Sequence, residues 1–178
     1  ALLLVGFAAA LRRSELVALT VADAVFGLQG LTVTVRRSKT DQEGAGRQIG
    51  IPWAQGSTCP VRALRDWRAM AAGLRRAGEP VTPDPLFRPI DRHGRLAPQA
   101  LTGHAVAVIV KQRAAAAGLD PTLFSGHSLR AGFCTAAARN GAPTWRIQQI
   151  SGHKTHASLE RYIRAGQLFD DHPLTGLL

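Results

Sequence analysis

The sequence predicts a mainly helical α+β domain that carries one small three-stranded antiparallel β-sheet near its start. Most of the chain falls into segments that place apolar residues at helical spacing and that glycine or proline separates from one another. Residues 24–51 depart from this pattern, because β-branched residues there alternate with polar ones. The chain has 178 residues, 46% of them hydrophobic, which is enough for one domain with a core of its own.

Two short helices are predicted before the sheet. Residues 2–11 form an almost uninterrupted apolar run, which indicates a buried helix. The run is too short to span a bilayer, since roughly 20 apolar residues are needed for that. Ser14 is expected to cap a second helix over residues 15–19, where Glu15 lies in the first turn and interacts favourably with the helix dipole.

The β-sheet is predicted from the alternating stretch. Its three strands are expected at residues 24–28, 31–37 and 47–51. The first two would form a hairpin that turns at Gln29-Gly30. Residues 38–46 are polar and glycine-rich, which indicates a loop, and Pro52 stops the third strand.

The rest of the chain is predicted to be helical, apart from a proline-rich connection over residues 78–98. Five helices are expected, at residues 60–73, 98–117, 128–140, 143–151 and 156–165. Pro60 suits the first turn of a helix, and Gly118 suits the position just after one. Gly141 and Gly152 separate the last three helices.

The charge balance indicates a polyanionic partner. The chain has 22 Lys and Arg residues against 12 Asp and Glu residues, and its isoelectric point is near 11.3. This excess favours nucleic acid over a membrane surface, with a merely basic enzyme as the alternative. Only Cys59 and Cys134 are present, without a CxxC or Cys/His metal spacing, so we expect a reducing, cytosolic setting and no zinc.

Tyr162 is the only tyrosine of the chain, and it follows Gly152-His153 by nine residues. A tyrosine hydroxyl attacks a phosphate only where cations stabilise its oxyanion. His127 and Arg130, three residues apart at the start of a predicted helix, would share one face and could both contact one phosphate. Taken singly, each feature also has an ordinary explanation: a half-buried tyrosine, a structural histidine and a surface pair.

Five segments occur in a specific order and spacing along the chain. They are Leu11-Arg12-Arg13-Ser14-Glu15-Leu16, Ser38-Lys39-Thr40, His127-Ser128-Leu129-Arg130, Ser151-Gly152-His153 and Tyr162. Together they resemble the catalytic domain of the tyrosine recombinases, the phage integrase family, from about residue 1 to 165. The resemblance implies that fold, and a site-specific recombinase that cuts and rejoins double-stranded DNA through a 3′-phosphotyrosine. A type IB topoisomerase and a silent DNA-binding remnant are the alternatives.

The resemblance also implies roles for the reacting groups. Tyr162 would be the nucleophile, and Arg12 and Arg130 would clamp the non-bridging oxygens of the scissile phosphate. Lys39 resembles the general acid that protonates the 5′-oxygen. Arginines lie close to it in the sequence, but an amine can give up a proton and a guanidinium cannot do so readily.

Supporting roles follow from the same resemblance. His127 would transfer a proton or contact the phosphate, and His153 would donate a second hydrogen bond to the phosphate. Glu15 would buttress Arg12, although a simple first-turn role in the helix would explain it as well. Further DNA contacts are expected from six arginines: Arg13, Arg37, Arg139, Arg146, Arg161 and Arg164.

The organisation of the whole protein is likewise an expectation. Residues 1–166 would be the catalytic domain, and residues 167–178 an apolar tail that packs on a neighbouring protomer. By the same resemblance, the N-terminal core-binding domain of the family is expected to be absent from this chain. We expect a homo-tetramer on DNA, with a monomer as the alternative when free, in the cytoplasm of a bacterium or phage host and associated with the nucleoid. No metal, ATP or other cofactor is expected, because arginines would stabilise the phosphate in place of a metal ion.

Overall fold

The computed structural model of the protein describes residues 1–36, 46–74 and 84–166, with only the backbone described at Arg161 and at 164–166. Within these ranges the chain forms α1 (Leu2–Ala8), α2 (Arg13–Ala18), β1 (Ala24–Gly27), β2 (Gly30–Val35), β3 (Arg47–Pro52), α3 (Pro60–Gly73), α4 (Gly103–Ala116), α5 (Ser128–Arg139), α6 (Thr144–Ser151) and α7 (His156–Gly166). Short 3-10 helices lie at Val21–Asp23 and Pro121–Leu123. The predicted fold class is confirmed.

The β-sheet is antiparallel, in the order β1-β2-β3. Gly27 pairs with Gly30, so the hairpin turns at Leu28-Gln29, one residue earlier than predicted. A Cβ on Gly30 would lie 2.1 Å from the Ile51 carbonyl oxygen, so only glycine fits at that strand start. Val35 pairs with Arg47, which brings the two ends of the 36–46 connection together.

Two apolar clusters build the core. The larger one joins α1, α2, the inner face of the sheet, α3 and α4, with Val5, Leu16 and Val33 among its buried members. The smaller one lies among α5, α6 and α7, and the half-buried Tyr162 packs against it. Helix α5 contacts both α1 and α7, so residues that α5 carries are placed between the two clusters.

Three predicted helix boundaries are wrong. Helix α1 ends at Ala8 and not at residue 11, because the chain turns at Ala10, which has a positive φ of 49°. Helix α4 begins at Gly103 and not at 98, where the Thr102 hydroxyl accepts a hydrogen bond from the Ala105 N–H. Ser14 does not cap α2: it lies exposed inside the helix, and Arg12 is the N-cap residue.

No helix in the described ranges is both long and apolar enough to cross a bilayer.

Candidate active site

The N-terminus of α2 holds the first part of the site. The Arg12 backbone N–H donates to Glu15 Oε2 at 2.9 Å, and Arg12 Nη1 donates to Glu15 Oε1 at 2.7 Å. The Glu15 carboxylate therefore takes up one of the N–H groups that a helix start leaves without a partner. This contact explains why the helix begins after Arg12, and it aims the Arg12 guanidinium along the start of α2.

A second arginine donates two hydrogen bonds to the same carboxylate. Arg47, the first residue of β3, donates from Nη1 to Glu15 Oε1 at 3.2 Å and from Nη2 to Glu15 Oε2 at 3.0 Å. Burial by itself would raise the pKa of Glu15, but the hydrogen bonds and charge of Arg47, together with those of Arg12, outweigh it and the pKa is lowered. Glu15 is thus an anion at neutral pH although only 3% of its surface is exposed.

Arg130 lies buried on α5, between the two apolar clusters. Its Nη1 donates to the backbone carbonyl oxygens of Ala10, at 2.9 Å, and of Ser151. Burial, followed by the charge of Arg12, lowers the pKa of Arg130 to about 10, so the side chain remains a cation near neutral pH. Among the described residues, its buried Nε and Nη2 atoms have no hydrogen-bond partner, which is costly unless an anion completes the site.

Tyr162, on α7, meets two histidines. Its hydroxyl lies 2.8 Å from Nε2 of His127, which is the N-cap residue of α5. The ring of His153 lies 5.8 Å from the Tyr162 ring, measured between centroids, with 44° between the two planes. His153 is oriented by the buried Ser151, whose hydroxyl lies 2.7 Å from His153 Nδ1. Tertiary packing therefore brings the last three sequence motifs together.

The positions of the other expected residues vary. Lys39 and Arg37 lie outside the described residues, and the side chains of Arg161 and Arg164 are not described. The aliphatic stem of Arg13 packs against Gly126, next to His127. Arg139 is exposed at the end of α5, and Arg146 is exposed on α6, where its Nη1 donates to Gln149 at 2.9 Å.

Two polar residues of the site were not predicted. Position 47 was expected only as the start of the third strand, and the contact of Arg47 with Glu15 spans 32 residues. Ser151 entered as part of the Gly-His motif, with no contact assigned. Among the described residues, no three His, Cys, Asp or Glu side chains are grouped so that they could hold a metal ion.

Comparison with known proteins identifies the family. The family model described as "Phage integrase family" matches residues 1–167. The chain belongs to the phage integrase family. An integrase/recombinase XerD homolog of Selenomonas ruminantium is 43% identical over 175 residues, which cover 98% of this chain and 49% of that protein. The tyrosine recombinase XerD of Xanthomonas axonopodis pv. citri is 30% identical over 162 residues, which cover 91% of this chain and 49% of that protein.

Solved structures of the same fold agree with this membership. A post-cleavage complex of the XerH site-specific recombinase with its palindromic difH substrate matches 99% of this chain and 43% of the XerH chain, with a TM-score of 0.69 at 21% identity. The match to the XerA recombinase covers 97% of this chain and 54% of the XerA chain, with a TM-score of 0.66 at 23% identity. The chain thus has the recombinase fold and spans about half the length of the curated relatives it matches.

Proposed function

We propose that this chain is the catalytic part of a site-specific DNA recombinase, which cuts and rejoins DNA through a covalent link between Tyr162 and a 3′-phosphate. The observation that carries the proposal is the placement of the Tyr162 hydroxyl 2.8 Å from His127 Nε2, at the start of the helix that holds Arg130. Family membership supports it, as do the relatives named recombinases.

The reaction is a transesterification. The Tyr162 oxygen bonds to the scissile phosphorus and its proton passes to His127, while the bond from phosphorus to the 5′-oxygen breaks. Lys39 protonates that oxygen, which leaves a free 5′-hydroxyl and a 3′-phosphotyrosine. Attack by a 5′-hydroxyl of the partner strand reverses the steps and releases Tyr162. The energy of the phosphate ester is retained throughout, so the balance needs no ATP.

Negative charge on the non-bridging oxygens grows during the attack, and arginines would stabilise it. Arg12 and Arg130 would hold these oxygens, with His153 as a further hydrogen-bond donor. Two buried nitrogens of Arg130 have no partner in the described part of the chain, and they suit this assignment because a phosphate would supply their acceptors. Glu15 would hold Arg12 in place, as its contacts at 2.7 and 2.9 Å allow.

The assembly is part of the proposal. Double-stranded DNA is the partner, and the basic charge of +10 favours it. Residues 1–166 would form the catalytic domain, with Arg13, Arg37, Arg139, Arg146, Arg161 and Arg164 on the DNA backbone. Four copies would assemble on two DNA sites, with residues 167–178, which lie outside the described residues, on a neighbouring protomer. The reaction would take place in the cytoplasm, at the nucleoid, where the DNA is.

Capture of the covalent intermediate tests the proposal. The full-length protein is incubated with fragmented genomic DNA of its source, and adducts that survive SDS are isolated and sequenced to define the site. A nicked duplex of that site should then trap the adduct. Because Tyr162 is the proposed nucleophile and the only tyrosine of these 178 residues, Tyr162→Phe should abolish the adduct and leave DNA binding intact. A covalent species that survives in this variant would refute the proposal.

The same site DNA separates recombination from simple relaxation. Two plasmid copies of the captured site should exchange flanking DNA when the protein is added. Relaxation of supercoils on plasmids with or without the site, and no exchange between them, would instead indicate a topoisomerase.

A further inference from the structure

Arg47 stands where three parts of the site meet. It opens β3, directly after the connection that carries Lys39, and it pairs with Val35 of β2. Its guanidinium holds Glu15 of α2. It also lies over Gly152, since a Cβ built there would be 3.0 Å from Arg47 Nη1 and 3.1 Å from its Cζ. Gly152 directly precedes His153, so one side chain connects α2, β3 and the turn before His153.

The hydrogen bonds on Glu15 are divided evenly between two arginines. Oε1 accepts from Nη1 of Arg12 and from Nη1 of Arg47, and Oε2 accepts from the Arg12 backbone and from Nη2 of Arg47. Each carboxylate oxygen thus has one donor from each arginine. This arrangement fixes the plane of the carboxylate, and the Arg12 guanidinium is held against it through Nη1.

The charges lead to a second consequence. With Arg12 alone, Glu15 would form a neutral pair, and the positive charge that Arg12 offers to a phosphate would be largely cancelled. With Arg47 included, two guanidiniums share one carboxylate and the group keeps a charge of about +1, by simple counting of ionised groups. Both arginine side chains are mostly enclosed, with 20% of Arg12 and 17% of Arg47 exposed, so water screens this charge only weakly.

We propose that Arg47 is a positioning residue of the recombination site, which holds Glu15 and balances its charge so that Arg12 keeps its own charge for the scissile phosphate. The inference rests on the proposed function of the site. Arg47 acts through Glu15 and Arg12 and makes no contact with the DNA strand in this role. Its removal should therefore weaken stabilisation of the charged non-bridging oxygens specifically.

A change in the substrate's charge tests this directly. Two nicked duplexes of the captured site are compared, one with the natural scissile phosphate and one with a methylphosphonate there, in which a methyl group replaces a non-bridging oxygen and removes the negative charge. Relative to the wild type, we expect Arg47→Gln to slow adduct formation about 30-fold on the phosphate and less than about 5-fold on the methylphosphonate. The comparison of the two substrates uses one preparation, so it does not depend on the folded fraction.

Two further variants sharpen the test. Arg47→Lys keeps the charge and loses the two-pronged contact, so it should restore most of the rate on the phosphate, to within about 5-fold of wild type. Arg36→Gln is the matched control, because Arg36 donates to another buried carboxylate, Asp23, at the far end of the same connection. It should form the adduct at the wild-type rate on both duplexes.

The experiment separates a failure of the Arg47 inference from a failure of the proposed recombinase function. If the wild type forms no adduct with any DNA, the proposed function itself is wrong. If the wild type reacts and Arg47→Gln loses the same factor on both duplexes, Arg47 has only a structural role and the inference is overturned. A wild-type rate for Arg47→Gln on the phosphate would overturn it equally.

Discussion

Two buried carboxylates, Glu15 and Asp23, follow the same local pattern but have different side-chain partners. Each is 3% exposed, and each accepts the backbone N–H of the residue three positions earlier at 2.9 Å. Each also accepts a side-chain hydrogen bond at 2.7 Å from that earlier residue, which is Arg12 for Glu15 and Thr20 for Asp23. The hydrogen-bonding pattern is therefore the same at the two starts, although Asp23 belongs to the short 3-10 helix and Glu15 to α2.

The difference lies in the partners. Glu15 is held by two arginines that are mostly enclosed, whereas Asp23 has a threonine hydroxyl and Arg36, whose side chain is 66% exposed. An arginine in place of the usual small hydroxyl residue brings a guanidinium to the helix start, and the carboxylate then orients it. A common capping arrangement thus becomes a device that can present positive charge to a phosphate.

Removal of the charge of Glu15 should have the largest effect. Glu15→Gln leaves two guanidiniums without their counter-charge, and Arg12 is no longer held in place. We expect adduct formation on the natural phosphate to fall about 100-fold, and the free energy of unfolding to drop by about 3 kcal/mol. Single-turnover trapping on the nicked duplex measures the first, and urea unfolding measures the second.

Asp23→Asn is the control for Glu15→Gln. It removes a charge from an equally buried carboxylate, so it should also destabilise the protein, by about 2 kcal/mol. Adduct formation per folded molecule should stay within about 2-fold of wild type, because Asp23 contacts no candidate active-site residue in the described structure. An equal loss of rate in the two variants would contradict the functional difference between these carboxylates.

Acid pH should lower the free energy of unfolding through both carboxylates, and this effect should be smaller than that of the substitutions. Burial by itself would raise the pKa of both carboxyl groups. The contacts with Arg47 and Arg12 outweigh burial at Glu15 and lower its pKa below the ordinary value of 4.5. The contacts with Thr20 and Arg36 do the same at Asp23, whose ordinary value is 3.8. Because both pKa values are lower in the folded state, the resulting stability is fully present above the ordinary values and is lost as pH falls through the folded ones. Urea unfolding between neutral pH and about pH 3 should show this loss, reduced in Glu15→Gln and in Asp23→Asn. An unchanged pH dependence in both variants would contradict the assignment.

The smallest effect is expected at Arg36. Its contact with Asp23 is short, at 2.6 Å, but the side chain is largely in water and Asp23 keeps its two Thr20 donors. Arg36→Gln should therefore cost about 0.5 kcal/mol in the free energy of unfolding. Arg47→Gln, measured in the same urea experiment, should lower the free energy of unfolding by more, because Arg47 is mostly enclosed. An equal loss in the two variants would contradict the idea that exposure to water weakens the contact of Arg36 with Asp23.

The sheet shows what local patterns predict well. Alternation and β-branched residues placed all three strands within about two residues, because the period of two belongs to each strand by itself. Helix starts were predicted less well. Ser14 has the right chemistry for a cap, but Glu15 binds the Arg12 N–H instead, and its position depends on Arg47 from a distant strand.

The family resemblance, the fold class and the residues with chemistry suited to phosphate transfer could all be predicted from the sequence, since these depend on residue type and order. Which of these residues contact one another depends on the folded arrangement of the chain. The contact of His127 with Tyr162 spans 35 residues, and that of Arg47 with Glu15 spans 32. Such contacts follow from how α5, α7 and β3 pack around the two apolar clusters, and no local pattern along the chain records that packing.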